Sequence, residues 1–176
     1  NQATSGSATV CEAGDWQISY NGEVYSIVKL KVIGTSLYAA QGGVVSNGVL
    51  IVCEPTKSGG ATACDAGDWW KTYNNGEQEY IWDVESFNSS IYMTQGETAG
   101  DGDVLTLNSH TVFDGTGDND VVYDEAVLNS RLYIAQGYST GEGDIWVCNP
   151  AGGNDTSLCD SILDWSLSYD GDEEAI

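Results

Sequence analysis

Six residues recur three times: "LYAAQG" at 37–42, "IYMTQG" at 91–96 and "LYIAQG" at 132–137, at spacings of 54 and 41 residues. A repeat of that period constrains the fold more than any composition does. Each copy must be one supersecondary unit that buries its apolar face against the next. The flanking segments return in the same order. An apolar run precedes each copy ("YSIVKLKV" at 25–32, "EYIWDVESF" at 79–87, "VVYDEAVL" at 121–128). Another follows after a polar, Gly-rich loop ("GVLIVC" at 48–53, "GDVLTL" at 102–107, "GDIWVC" at 143–148). The fourth segment is a cysteine–tryptophan phrase, "CDAGDWWKTY" at 64–73 and "CDSILDWSLSY" at 159–169, replaced in the middle unit by "TVFDGTGD". One extra copy, "CEAGDWQISY" at 11–20, stands before the first unit.

All four segments are short, rich in Val, Ile, Tyr and Trp, and punctuated by Gly, Asn and Asp, which is a strand signature. None holds a helical period with caps. With 22 glycines against 2 prolines, the connections read as tight turns. The fold class is therefore all-β, in units of four antiparallel strands. These units resemble β-propeller blades of the kelch and Asp-box (sialidase-like) kinds, in which an "LY" strand leads through a Gly/Asp turn to a "GDVW" strand and then to one carrying Trp. The residues that carry the resemblance are Leu37-Tyr38, Ile91-Tyr92 and Leu132-Tyr133, then Gly102-Asp103-Val104 and Gly143-Asp144-Ile145-Trp146, then Trp16, Trp69 and Trp165. The resemblance implies consecutive propeller-type blades at 25–78, 79–120 and 121–170, with an outer strand of a preceding blade in 1–24 and the start of a next blade in 171–176. Three blades are too few to close a ring. The expectation is part of a larger propeller or repeat array, or a protomer completed by a neighbour, with edge strands that need covering.

Cys53 and Cys64 are 11 residues apart, as are Cys148 and Cys159. We expect each pair to form a disulfide, closing a short loop and contributing roughly 3 kcal/mol. Zinc would want a Cys-x2-Cys or histidine cluster, and the only histidine is His110. The same spacing counted back from Cys11 runs off the chain, so Cys11 is expected to be unpaired and the chain a mature product or an excised segment. Disulfides and two sequons, at Asn88 and Asn154, fit an extracellular or cell-surface location. No apolar run approaches the roughly 18 residues of a membrane helix.

Acidic residues outnumber basic ones 27 to 5, for a net charge of −22. Such a field repels nucleic acid and anionic lipid, and it favours solubility, cation binding or high salt. The candidate cation site is a calcium loop with Asp114, Asp118 and Asp120, although the EF-hand pattern is not met and solvated turn acids are the alternative. Trp16, Trp69 and Trp165, like Tyr38, Tyr92 and Tyr133, recur in register and read as inter-unit packing, with sugar stacking as the alternative for the tryptophans. Trp70, Trp82 and Trp146 break the repeat and are the candidates for a glycan- or protein-binding surface. Gln41, Gln95 and Gln136 read as side chains bonded to turn backbone, or as an amide ring around a channel. Catalysis finds little: Ser109-His110 has no acid at motif spacing, no G-x-S-x-G occurs, and Arg131 is the one arginine where a sialidase would want a cluster. The expected function is an extracellular structural and interaction module of a fibre, coat or appendage. It would assemble with itself or with the remainder of a longer chain. A glycan- or protein-binding propeller is the alternative, and a glycosidase-like enzyme stands third.

Overall fold

The computed structural model describes residues 18–21, 26–43, 48–55, 63–74, 80–96, 102–108, 110–115, 121–137, 143–150 and 157–171. Cys11, Trp16, Asp118, Asp120, Asn154 and nearly all of 1–24 and 171–176 lie outside them. Twelve strands form three sheets. The first holds β1 (Ser26–Ile33), β2 (Ser36–Gly42), β3 (Val49–Cys53) and β4 (Trp69–Asn74). The second holds β5 (Ile81–Phe87), β6 (Ser90–Gln95), β7 (Asp103–Thr106) and β8 (Thr111–Asp114). The third holds β9 (Val121–Leu128), β10 (Arg131–Gly137), β11 (Asp144–Cys148) and β12 (Trp165–Tyr169). Every sheet is an antiparallel meander in chain order, and the helix among the described residues is one 3-10 turn at Ile162–Asp164. The chain is thus all-β, with three four-stranded antiparallel sheets that are not closed on one another.

The repeat spacing becomes a shared register. Lys29 pairs with Ala40, Asp83 with Thr94, and Asp124 with Ala135. Leu37 faces Cys53 as Leu132 faces Cys148. Short turns explain why the first two strands of each sheet stay in step. Asn88 and Ser89 have φ of 47° and 68°, and Asn129 and Ser130 have 50° and 59°. Two successive positive φ values make the hairpin turn whose twist matches the strands, and Asn tolerates that conformation better than most residues.

The cysteine–tryptophan phrase is only half strand. β4 begins at Trp69 after a turn and β12 at Trp165 after the 3-10 turn, so the residues before them are not strand. The aspartate before each tryptophan explains this. Asp68 is buried and its carboxylate accepts from the Asp65 amide at 2.9 Å. Asp164, also buried, accepts from the Asp160 and Ser161 amides at 3.2 Å each. Such side-chain bonds hold the backbone in a turn and postpone the ladder. Disulfides Cys53–Cys64 and Cys148–Cys159, each with Cα atoms 6.1 Å apart, tie the end of the third strand to this loop. In the middle sheet Leu107 stands at the corresponding place and packs into apolar core instead.

The sheets stack in one direction. The face of the first sheet with Ala40, Leu50 and Tyr73 buries Ile81, Val84, Met93 and Leu105 of the second. The opposite face of the second sheet, with Tyr92, Val104 and Phe113, buries Leu132, Ile134, Cys148 and Trp165 of the third. The first strand of each following sheet does most of this packing: β5 lies against β1 and β2, and β9 against β5, β6 and β7. Among the described residues, one isolated bridge, Gly42 to Tyr80, is the only strand pairing between sheets. Side-chain burial, at about 1.5–3 kcal/mol for each large apolar group, therefore holds the stack together.

Candidate functional site

At the line where the three first strands meet, the stack is polar. Lys29, Asp83 and Asp124 occupy equivalent positions on β1, β5 and β9, and the Lys29 ammonium is 3.0 Å from both carboxylates. The Asp83 side chain is fully buried. Its oxygens also accept from the Val84 amide at 2.7 Å and the Glu125 amide at 3.2 Å. Thr94 Oγ1 accepts from the Asp83 amide at 3.0 Å. One step along the strands, Lys31 reaches Glu85 at 2.5 Å. A single lysine and a single buried aspartate thus link all three sheets. Burial alone would lower the Lys29 pKa, but hydrogen bonds and charge from Asp83 and Asp124 outweigh it and raise the net value. Burial pushes Asp83 up to about 6, helped by a hydrogen bond shared with Asp124. Asp124 moves the other way, lowered first by that shared bond and then by Lys29.

Glu125 is the unusual member. It stands where the first two sheets have Leu30 and Val84, at the same spacings of 54 and 41. It is 4% exposed, and neither carboxyl oxygen makes a well-formed hydrogen bond. Burial pushes its pKa well above the glutamate range, the charges of Asp83 and Glu85 add to this, and the Glu85 amide and Lys31 only partly oppose it. Burial thus favours the protonated form of this carboxyl.

The second feature is a face without a neighbour. Tyr38, Ala40, Leu50 and Tyr73 on the first sheet correspond to Tyr92, Thr94, Val104 and Phe113 on the second. Their counterparts on the third are Tyr133, Ala135, Ile145 and Tyr169. The first two sets turn toward the following sheet. In the third, Tyr133, Ala135 and Ile145 line a cavity of about 160 Å3 together with Asp124 and Ala126. What such a face does when covered is visible one sheet back, where buried Tyr92 accepts a hydrogen bond at 3.1 Å from the Cys159 amide of the next disulfide loop.

The three non-repeated tryptophans lie on three different sheets. Trp70 is half-buried on β4. Trp82 on β5 donates to the Gly96 carbonyl at 2.7 Å, stacks on Tyr80 with centroids 4.7 Å apart, and meets the edge of Tyr123 at 5.4 Å. Trp146 on β11 packs edge-on against Phe113 at the main core. The recurrent Trp165 lies in that core, and Trp69 holds Tyr20 at 5.6 Å over the first sheet. Gln41, Gln95 and Gln136 are buried at the ends of β2, β6 and β10, and Gln95 donates to Asp103 at 3.2 Å. Of the calcium candidates, Asp114 ends β8 opposite Asp103, and the other two lie outside the described residues. Among the described residues, no three His, Cys, Asp or Glu side chains are arranged to hold a metal ion.

In architecture the chain belongs with all-β proteins built from repeated antiparallel sheets. No protein-family model matches it, and neither a curated protein nor a solved structure does. Lys29 and Asp83 were not among the residues singled out from sequence. Their signal was present, because Lys29, Asp83 and Asp124 share the spacing of the "LY" motif. Their charges differ, however, and a search for identical residues passes over them.

Proposed function

We propose that this chain is an extracellular structural and interaction module whose sheets serve as propeller-type blades in a larger assembly. The observation that carries the reading is the one-way stack. Each sheet covers its neighbour through equivalent residues, and at each end some of the equivalent apolar positions are exposed. Leu30 and Val32 on β1 are 57% and 68% exposed, and Tyr169 on β12 is 55% exposed. A unit that works alone gains nothing from such ends, whereas a unit in an array needs them. Two disulfides fit an oxidising exterior, and among the described residues no helix is long and apolar enough to cross a membrane. Fractionation and immunogold labelling of the native material test this reading. Recovery in an insoluble fibre or coat supports it, and recovery as a freely diffusing small species overturns it.

One observation favours glycan binding as a second reading. Tyr80, Trp82 and Tyr123 form an aromatic group beside the polar junction, and Tyr123 is exposed. Such rings can stack on a sugar. A glycan array with the chain and its Trp82→Ala variant tests this: signal lost in the variant supports it, and no signal from either refutes it.

A further inference from the structure

We infer that the open face of the third sheet is a docking slot for strand β1 of a second copy of this chain. This rests on the structural-module reading and names its partner. Inside the chain, the slot formed by the first three strands of one sheet receives the first strand of the next, as β5, β6 and β7 receive β9. On the third sheet the corresponding slot is the cavity lined by Tyr133, Ala135 and Ile145. In the slot of the first sheet β5 presents Ile81 and Val84, both fully buried, and in that of the second β9 presents Val122 and Glu125 at the same positions, also buried. On β1 those positions are Ile27 and Leu30, with Val32 beyond them, and all three are exposed. Residues 18–21 lie over the Trp69 side of that sheet and leave the β1 side open.

Tyr133 takes the place of Tyr92, which holds the next disulfide loop, and the incoming copy brings the corresponding loop at Cys64. The contact joins two different surfaces, so it generates a ring or an open chain of copies.

Sedimentation velocity of the full chain, at about 0.5 M salt to screen the repulsion between acidic copies, tests the inference. The wild type is expected to associate as concentration rises. Leu30→Asp removes the strand side and Ile145→Asp the slot side, and each alone should weaken association by at least about tenfold. Mixed together they should form a 1:1 dimer, because each retains the surface the other lacks. Thermal unfolding checks that both variants fold, and Val32→Asp and Tyr169→Asp replace either one that does not. A wild type that stays monomeric, or a mixture that restores nothing, overturns the inference. A monomer whose native source still holds it in an insoluble coat removes the second copy as occupant and leaves the module reading standing. An associating chain from freely diffusing native material does the reverse.

Discussion

Replacing Glu125 by valine should make this protein more stable, and more so as pH rises. The position belongs to the apolar face of the repeat, where Val84 and Leu30 occupy it in the other sheets. In the third sheet it holds a carboxyl group that is 4% exposed and has no well-formed hydrogen bond, with only the Glu85 amide and Lys31 near enough to oppose its burial. An unpartnered buried polar group costs about 1–3 kcal/mol, and a valine there would gain roughly 1.5 kcal/mol from burial. After the small void left by the shorter side chain, a net gain of about 2 kcal/mol is expected even where the carboxyl is protonated, or about 4–8 °C in Tm for a chain of this size. The sign of the pH effect follows from the direction of the shift. Because the folded-state pKa of Glu125 is raised, its stabilising contribution is fully present below the ordinary glutamate pKa. It is lost as pH rises through the folded-state value, where folding must either hold the proton or bury the charge. The advantage of Glu125→Val should therefore be smallest near pH 4 and grow toward pH 8. Calorimetry of both proteins across that range, with the disulfides intact, is the assay. A variant less stable than wild type at pH 8, or an advantage independent of pH, would show that Glu125 has a partner and refute the reasoning.

The two ends of the ion cluster should respond unequally. Lys29→Met strands the fully buried Asp83 and is expected to cost about 3 kcal/mol, whereas Asp124→Asn, at a largely exposed carboxylate, should cost under about 1 kcal/mol in urea unfolding; equal losses would contradict the burial difference. Replacing Cys148 and Cys159 together by serine should cost about 3 kcal/mol and loosen the loop whose amide bonds Tyr92, so hydrogen exchange should accelerate in β11 and β12 before β1 to β4; uniform acceleration would deny the loop a local role.

Repetition made the meander of each sheet legible. The "LY" motif, the flanking apolar runs and the Asn-Ser turns are local signals, and local periodicity dictates strands, hairpins and register. The cysteine–tryptophan phrase was harder to read. Its apolar half became β4 and β12, but Asp68 and Asp164 hold the preceding residues in turns by accepting backbone amides, a competition that a propensity reading passes over. Trp146 breaks the repeat pattern and was read as a surface candidate; it is half-buried, with its ring against Phe113 of the second sheet, a contact that no local pattern signals.

What the sequence determined alone was the number of units, their strand content and their order, because each depends on residues near one another in the chain. Only the tertiary structure decided which face of each sheet is covered, that Lys29 serves two carboxylates 54 and 95 residues away, and that Glu125 is buried without a well-formed hydrogen bond. Those facts arise from packing one sheet on the next. Contact between distant residues depends on the direction and offset of the stack, and no local pattern encodes either.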